Sequence, residues 1–128
     1  MIIYPKLLPE LLILKYLEKY DFIIADIGII FISIYETKQI PKFSEYLKPY
    51  NFSGSPVSLF CDIIDEGIIN LLWSGIIYRD FMTETYRLGK GKEKDELCCW
   101  HNPTINEDII QEIITDIHNN IKKRTLHY

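Results

Sequence analysis

The sequence predicts a small single-domain α+β fold, about three helices packed on a small antiparallel sheet, with a mostly α fold as the alternative. Three observations predict it. Residues 104–123 repeat isoleucine at helical spacing, residues 22–35 are dense in β-branched and aromatic side chains, and nothing resembling a linker divides the 128 residues. That length is typical of one domain. The order helix, strand, helix, strands, helix indicates α+β. Three of these five segments are clearly helical, which keeps the all-helical alternative open.

Residues 5–20 read as a helix. Leu7, Leu8, Leu11, Leu12, Leu14, Tyr16 and Leu17 cover much of its circumference, and Lys15, Glu18 and Lys19 leave one polar strip. Residues 22–35 surround Gly28 with isoleucine and phenylalanine and read as one long buried strand or two short ones. Residues 41–50 form a short helical turn or loop ended by Pro49, and residues 51–55 a loop. Ser55 followed by Pro56 has the form of a helix start, a cap and an N1 proline. Val57, Phe60, Cys61 and Ile64 then share one face of residues 56–66, and Ser58, Asp62, Asp65 and Glu66 the other. Gly67 either ends that helix or interrupts it.

In residues 76–88, Thr83, Thr85 and Tyr86 favour a strand, while Tyr78, Phe81 and Met82 also suit a helix closed by Gly89. The strand is preferred, with residues 89–94 as a hairpin loop leading into residues 95–101. The last helix is the best specified. Asn102-Pro103 makes a turn, and Thr104 stands three residues before Glu107 as in a capping box. Ile109, Ile110, Ile113, Ile114, Ile117 and Ile121 form one stripe, opposite Asp108, Glu112 and Asp116. Glu107 and Asp108 in the first turn and Lys122, Lys123 and Arg124 in the last complement the macrodipole.

With 48% hydrophobic residues the chain can bury a core. It holds 24 isoleucines and one alanine, Ala25, and 11 of its 14 basic residues are lysine. That bias suggests an AT-rich genome and weakens strand assignments based on β-branching alone. Net charge is −4 and the pI about 5.3, which disfavours a phosphate backbone or an anionic membrane as partner. Acids concentrate between Asp62 and Asp116, and no Lys or Arg occurs between Asp95 and Ile121. A basic protein would be attracted to such a surface. Pro5, Lys6, Pro9 and Glu10 interrupt any signal-peptide core. The longest apolar run, residues 22–35, contains Asp26 and is too short to span a bilayer. Three cysteines, an odd number, suit a reducing compartment, so a cytoplasmic location is expected.

Chemistry-bearing patterns are sparse. Cys98 and Cys99 precede Trp100 and His101, but adjacent cysteines on a strand point to opposite faces and cannot share one ion. A nucleophilic cysteine there would lack a helix N-terminus, an oxyanion donor and a third member. Asp26 with Glu36, Thr37 and Lys38 has the outline of the acid…E-x-K set of metal-dependent nucleases. With 18 acids and 11 lysines, such triplets arise by chance. The glycines of residues 89–92 lack a phosphate-cradling context. No catalytic residue, metal or cofactor is expected. Nine tyrosines and two tryptophans supply interface anchors, foremost Trp100 and His101 beside the acidic helix.

Asp62, Asp65 and Glu66, then Asp108, Glu112 and Asp116, on a small acidic isoleucine-rich domain, give a chain that resembles bacterial toxin-immunity proteins. These neutralise the C-terminal toxin domains of contact-dependent inhibition and related systems. The resemblance is of character and not of motif, so no residue role carries over. It implies a non-enzymatic, stoichiometric binder, a monomer or weak dimer, whose carboxylates together with Trp100 and His101 meet a basic nuclease toxin domain and block it. The alternatives are a small metal-dependent nuclease using Asp26, Glu36 and Lys38, and a domain that self-associates through its isoleucine-rich face.

Overall fold

The structure, a computed structural model, describes residues 6–55, 57–89 and 105–125. Among them are five helices and two small antiparallel sheets, an α+β domain as the sequence predicts. Helix α1 (Pro9–Tyr20) is the central element. Pro9 stands at its first position, four residues later than expected, because proline's fixed φ suits that site and its missing N–H costs nothing there. Leu11, Leu12, Ile13, Leu14, Tyr16 and Leu17 are all buried, so α1 must be covered on several sides. Asp21, at φ 71°, closes the helix by donating its N–H to the Leu17 carbonyl and turns the chain into β1 (Phe22–Ile24).

Here the structure corrects the sequence reading. Only three residues of 22–35 are strand, and Ile27–Lys38 is a helix, α2. Asp26 starts it, accepting the Ile29 N–H at 3.3 Å. Isoleucine on every side of α2 leaves no periodicity to distinguish helix from buried strand, and tertiary packing overrides β-propensity. Its buried face is Ile30, Ser33, Ile34 and Thr37. The small hydroxyl residues let the last helix approach closely. A single turn, α3 (Pro41–Ser44), follows and leads to the fully buried Tyr50, as residues 41–50 suggest.

The expected helix start at Ser55-Pro56 is also wrong. Ser53–Ser55 (β2) pairs with Ser58–Phe60 (β3), Gly54 lying opposite Leu59. Gly54 has φ +95°, and a Cβ there would lie 2.2 Å from the Ser58 carbonyl oxygen, so the ribbon requires glycine. Helix α4 begins only at Asp62 and runs to Trp73, with Asp62 and Asp65 in its first turn. Gly67 neither ends nor breaks it. A Cβ on Gly67 would come within 3.0 Å of the Pro9 Cβ, so this glycine serves the close crossing of α4 over α1.

Residues 76–88 form strands, as preferred, but as a hairpin of their own: β4 (Ile77–Asp80) and β5 (Thr85–Leu88). Asp80 accepts the N–H groups of Met82 and Thr83 in the turn at 2.9 and 3.3 Å. Strand β1 joins the far edge of β5, giving the order β1-β5-β4. The loop expected at residues 89–94 lies outside the described residues, apart from Gly89. Helix α5 (Glu107–Thr125) closes the domain against α2 and α1. Ile110, Ile113, Ile114, Ile117 and Ile121 are buried, and Ile109 is half-buried against the core. The cap residue expected, Thr104, is outside the described residues. Asn106 accepts the Asp108 N–H at 2.7 Å. No described helix is long and apolar enough to cross a membrane.

Candidate partner-binding surface

The acids of α5 are mostly engaged within the domain. Glu107 pairs with Lys15 of α1 at 3.2 Å and Glu112 with Lys42 of α3 at 2.7 Å. Asp116, expected to face solvent beside them, instead turns toward α2. Its Oδ2 accepts the Thr37 hydroxyl at 2.8 Å and the Asn120 amide at 3.2 Å. Buried Thr37 and Asn120 need an acceptor at that point, and the carboxylate supplies it. Asp108 is exposed, with no ion pair to any described residue.

Helix α4 differs. Asp62, Glu66, Ile69 and Trp73 follow one another at spacings of four, three and four, so they lie on one outward stripe. All four are exposed, Trp73 at 87% and Ile69 at 42%. Neither Asp62, Asp65 nor Glu66 forms an ion pair with a described residue. Ile64, Ile68 and Leu71 bury the opposite face against α1 and β4. Since α4 packs on α1 and β4, and α5 on α2 and α1, the two acidic sets stand on separate elements. The sequence reading missed Ile69 and Trp73 because it let Gly67 stop the helix; the same periodicity carried past Gly67 finds them.

A third grouping joins residues about a hundred positions apart. Tyr16 and His118 are hydrogen-bonded, hydroxyl to Nδ1, at 2.9 Å. Tyr20 stacks on the same imidazole with centroids 3.8 Å apart and planes 10° from parallel. Burial, with Tyr20 adding to it, holds the Tyr16 phenol well above its ordinary range, so the bond joins a neutral phenol to the imidazole. Burial first, then Lys122 and Lys19, lowers the His118 pKa below 6.5. The unfolded chain therefore binds a proton at this site before the folded domain does. Its stabilising contribution is complete above pH 6.5 and is lost as pH falls through the lowered value. In urea titrations between pH 7.5 and 5, wild type should lose more stability than His118→Gln; parallel losses would remove His118 as the cause.

Trp100 and His101, like Cys98 and Cys99, lie outside the described residues. Asp26 and Glu36 sit ten residues apart on one helix, about 15 Å along its axis. Glu36 pairs with Arg124 at 2.5 Å and Lys38 donates to the Tyr50 carbonyl, so the acid…E-x-K set is not brought together. Among the described residues no group of three or more His, Cys, Asp or Glu is placed to hold a metal ion. No family model, no curated protein and no solved structure matches this chain.

Proposed function

We propose that this chain is a stoichiometric protein-binding inhibitor of the toxin-immunity type, and that it docks a basic toxin domain with the outward stripe of α4. The observation that carries the reading is the stripe itself: exposed Asp62 and Glu66 without an ion pair to any described residue, leading along one face to Ile69 and the 87% exposed Trp73. Tryptophan is a favoured interface hot spot, and carboxylates around it steer a cationic partner and set register. The acids of α5 are less suited, because Glu107 and Glu112 would have to leave Lys15 and Lys42 to engage a partner.

The partner to test is the C-terminal domain of any large secreted protein that proves to be encoded beside this gene. Against it, Trp73→Ala should cost about 2 kcal/mol, roughly thirty-fold in Kd. Glu66→Lys should slow association and flatten its dependence on salt while changing dissociation less. Glu112→Lys should do much less. Co-expression with the toxin domain should rescue growth for wild type and for Glu112→Lys, and fail for Trp73→Ala with Glu66→Lys. Equal affinity across these variants would reject α4 as the docking face, and no complex with the neighbour would reject the immunity reading.

A further inference from the structure

We propose that the cleft between the C-terminal halves of α1 and α5 and strands β1 and β5 is a binding site for a small aromatic carboxylate. Its volume is about 300 Å³, at the lower end of small-molecule sites and about twice the ~150 Å³ that holds a benzene ring. Its walls suit a flat apolar body. The stacked Tyr20 and His118 rings and Phe22 line it, with Ile24 and Ile121. Four elements meet here, so the shape belongs to the fold and not to one loop.

The polar groups select the sign of the ligand. Among the described lining residues Lys122 alone carries a full charge, in a chain whose net charge is −4, and none of them is a carboxylate. The threonine hydroxyls are already engaged, whereas the Tyr20 hydroxyl has no hydrogen bond with a described residue. Thr83 and Thr85 bond each other at 2.7 Å, Arg87 donates to Thr85 at 3.1 Å, and Thr125 donates to the Ile121 carbonyl at 3.2 Å. The Lys122 ammonium has no hydrogen bond or ion pair with a described residue. The His118 ring has Nδ1 occupied by Tyr16 and leaves Nε2 without a partner among the described residues. The Lys122 ammonium and the Tyr20 hydroxyl, two uncommitted donors beside aromatic walls, call for a planar ligand ending in an acceptor with negative charge, and a carboxylate has an oxygen for each. None of these residues lies on α4, so this site and the docking face can fail independently.

The full chain would be titrated with indole-3-carboxylate, its neutral isostere indole-3-carboxamide, and cationic tryptamine, following the His118 ring resonances by NMR. Saturable shifts for the carboxylate, weaker ones for the carboxamide and none for tryptamine are expected. Lys122→Met, a change at an exposed position, should weaken the carboxylate roughly five-fold and leave the carboxamide unchanged. Thr125→Trp should fill the cleft and abolish both. Unmoved His118 resonances at millimolar carboxylate would overturn the site. Equal binding of all three probes, or indifference to Lys122→Met, would overturn its preference for an anion.

Discussion

Tyr50→Ala is expected to destabilise the domain by about 3–5 kcal/mol, the usual cost of deleting a buried aromatic side chain. Tyr50 is fully buried, and its hydroxyl donates to the Leu7 carbonyl at 2.7 Å. Its own carbonyl accepts from Lys38, and the neighbouring Tyr46 carbonyl accepts the Leu7 N–H at 3.0 Å. The Tyr50 side chain thus ties the entry to α1 to the segment after α3, and its backbone carbonyl holds the end of α2 there. Folded domains have only about 5–15 kcal/mol of net stability, so the variant should lie near the edge of folding. Tyr50→Phe separates the two contributions. It keeps the ring and leaves the Leu7 carbonyl without that donor, for about 1–3 kcal/mol. Denaturant midpoints at constant m-value read both. A Phe variant equal to wild type would show the hydrogen bond to be idle, and an Ala variant within ~1 kcal/mol of wild type would contradict the burial of the ring.

Asn120→Asp should cost about 2–4 kcal/mol at neutral pH and recover in acid. The Asn120 amide donates toward the Ser33 carbonyl at 3.2 Å, the Thr37 hydroxyl at 3.1 Å and Asp116 at 3.2 Å. An aspartate there would lose those donors and set a second carboxylate against Asp116 in a buried seam where the Ser33 hydroxyl already has no partner among the described residues. Repulsion and burial raise the folded-state pKa of the new group above its unfolded value near 3.9. Its penalty is therefore absent below that value and grows as pH rises through the folded pKa. Asn120→Leu, which adds no charge, should cost about 1–3 kcal/mol with no such pH dependence. An aspartate variant as stable as wild type at pH 7, or one destabilised as much at pH 4 as at pH 7, would show that the α2–α5 seam is not packed as described.

The elements differed in legibility for identifiable reasons. In α5 isoleucine recurs on one face only, with acids early and bases late, so period and end effects agree. Helix α4 was half legible, since a glycine reads locally as a terminator and Gly67 owes its place to Pro9 of another helix. Helix α2 was misread because isoleucine on every side erases the period. Its local signals were the Asp26 cap and the Ser33–Thr37 pair four residues apart. Ser55-Pro56 misled because the dipeptide suits a helix start locally, whereas Ser55 pairs with Ser58 in a ribbon. The acidic residues of the proposed surface were legible as types. Their division into engaged and uncommitted groups was not.

By itself the sequence determined what depends on neighbours within about a turn or two: the stripe and polarity of α5, the helical character of residues 62–66, the strand character of residues 77–80 and 85–88, and the overall α+β class. Tertiary structure alone decided which charges and rings remain available. Lys15 meets Glu107 from 92 positions away and Lys42 meets Glu112 from 70, while Tyr16 reaches His118 across 102. No periodicity encodes such pairs. They form because the burial of α1 and α2 against α5 brings those helix faces together, and packing non-local apolar surfaces sets the partners of the polar groups at their edges.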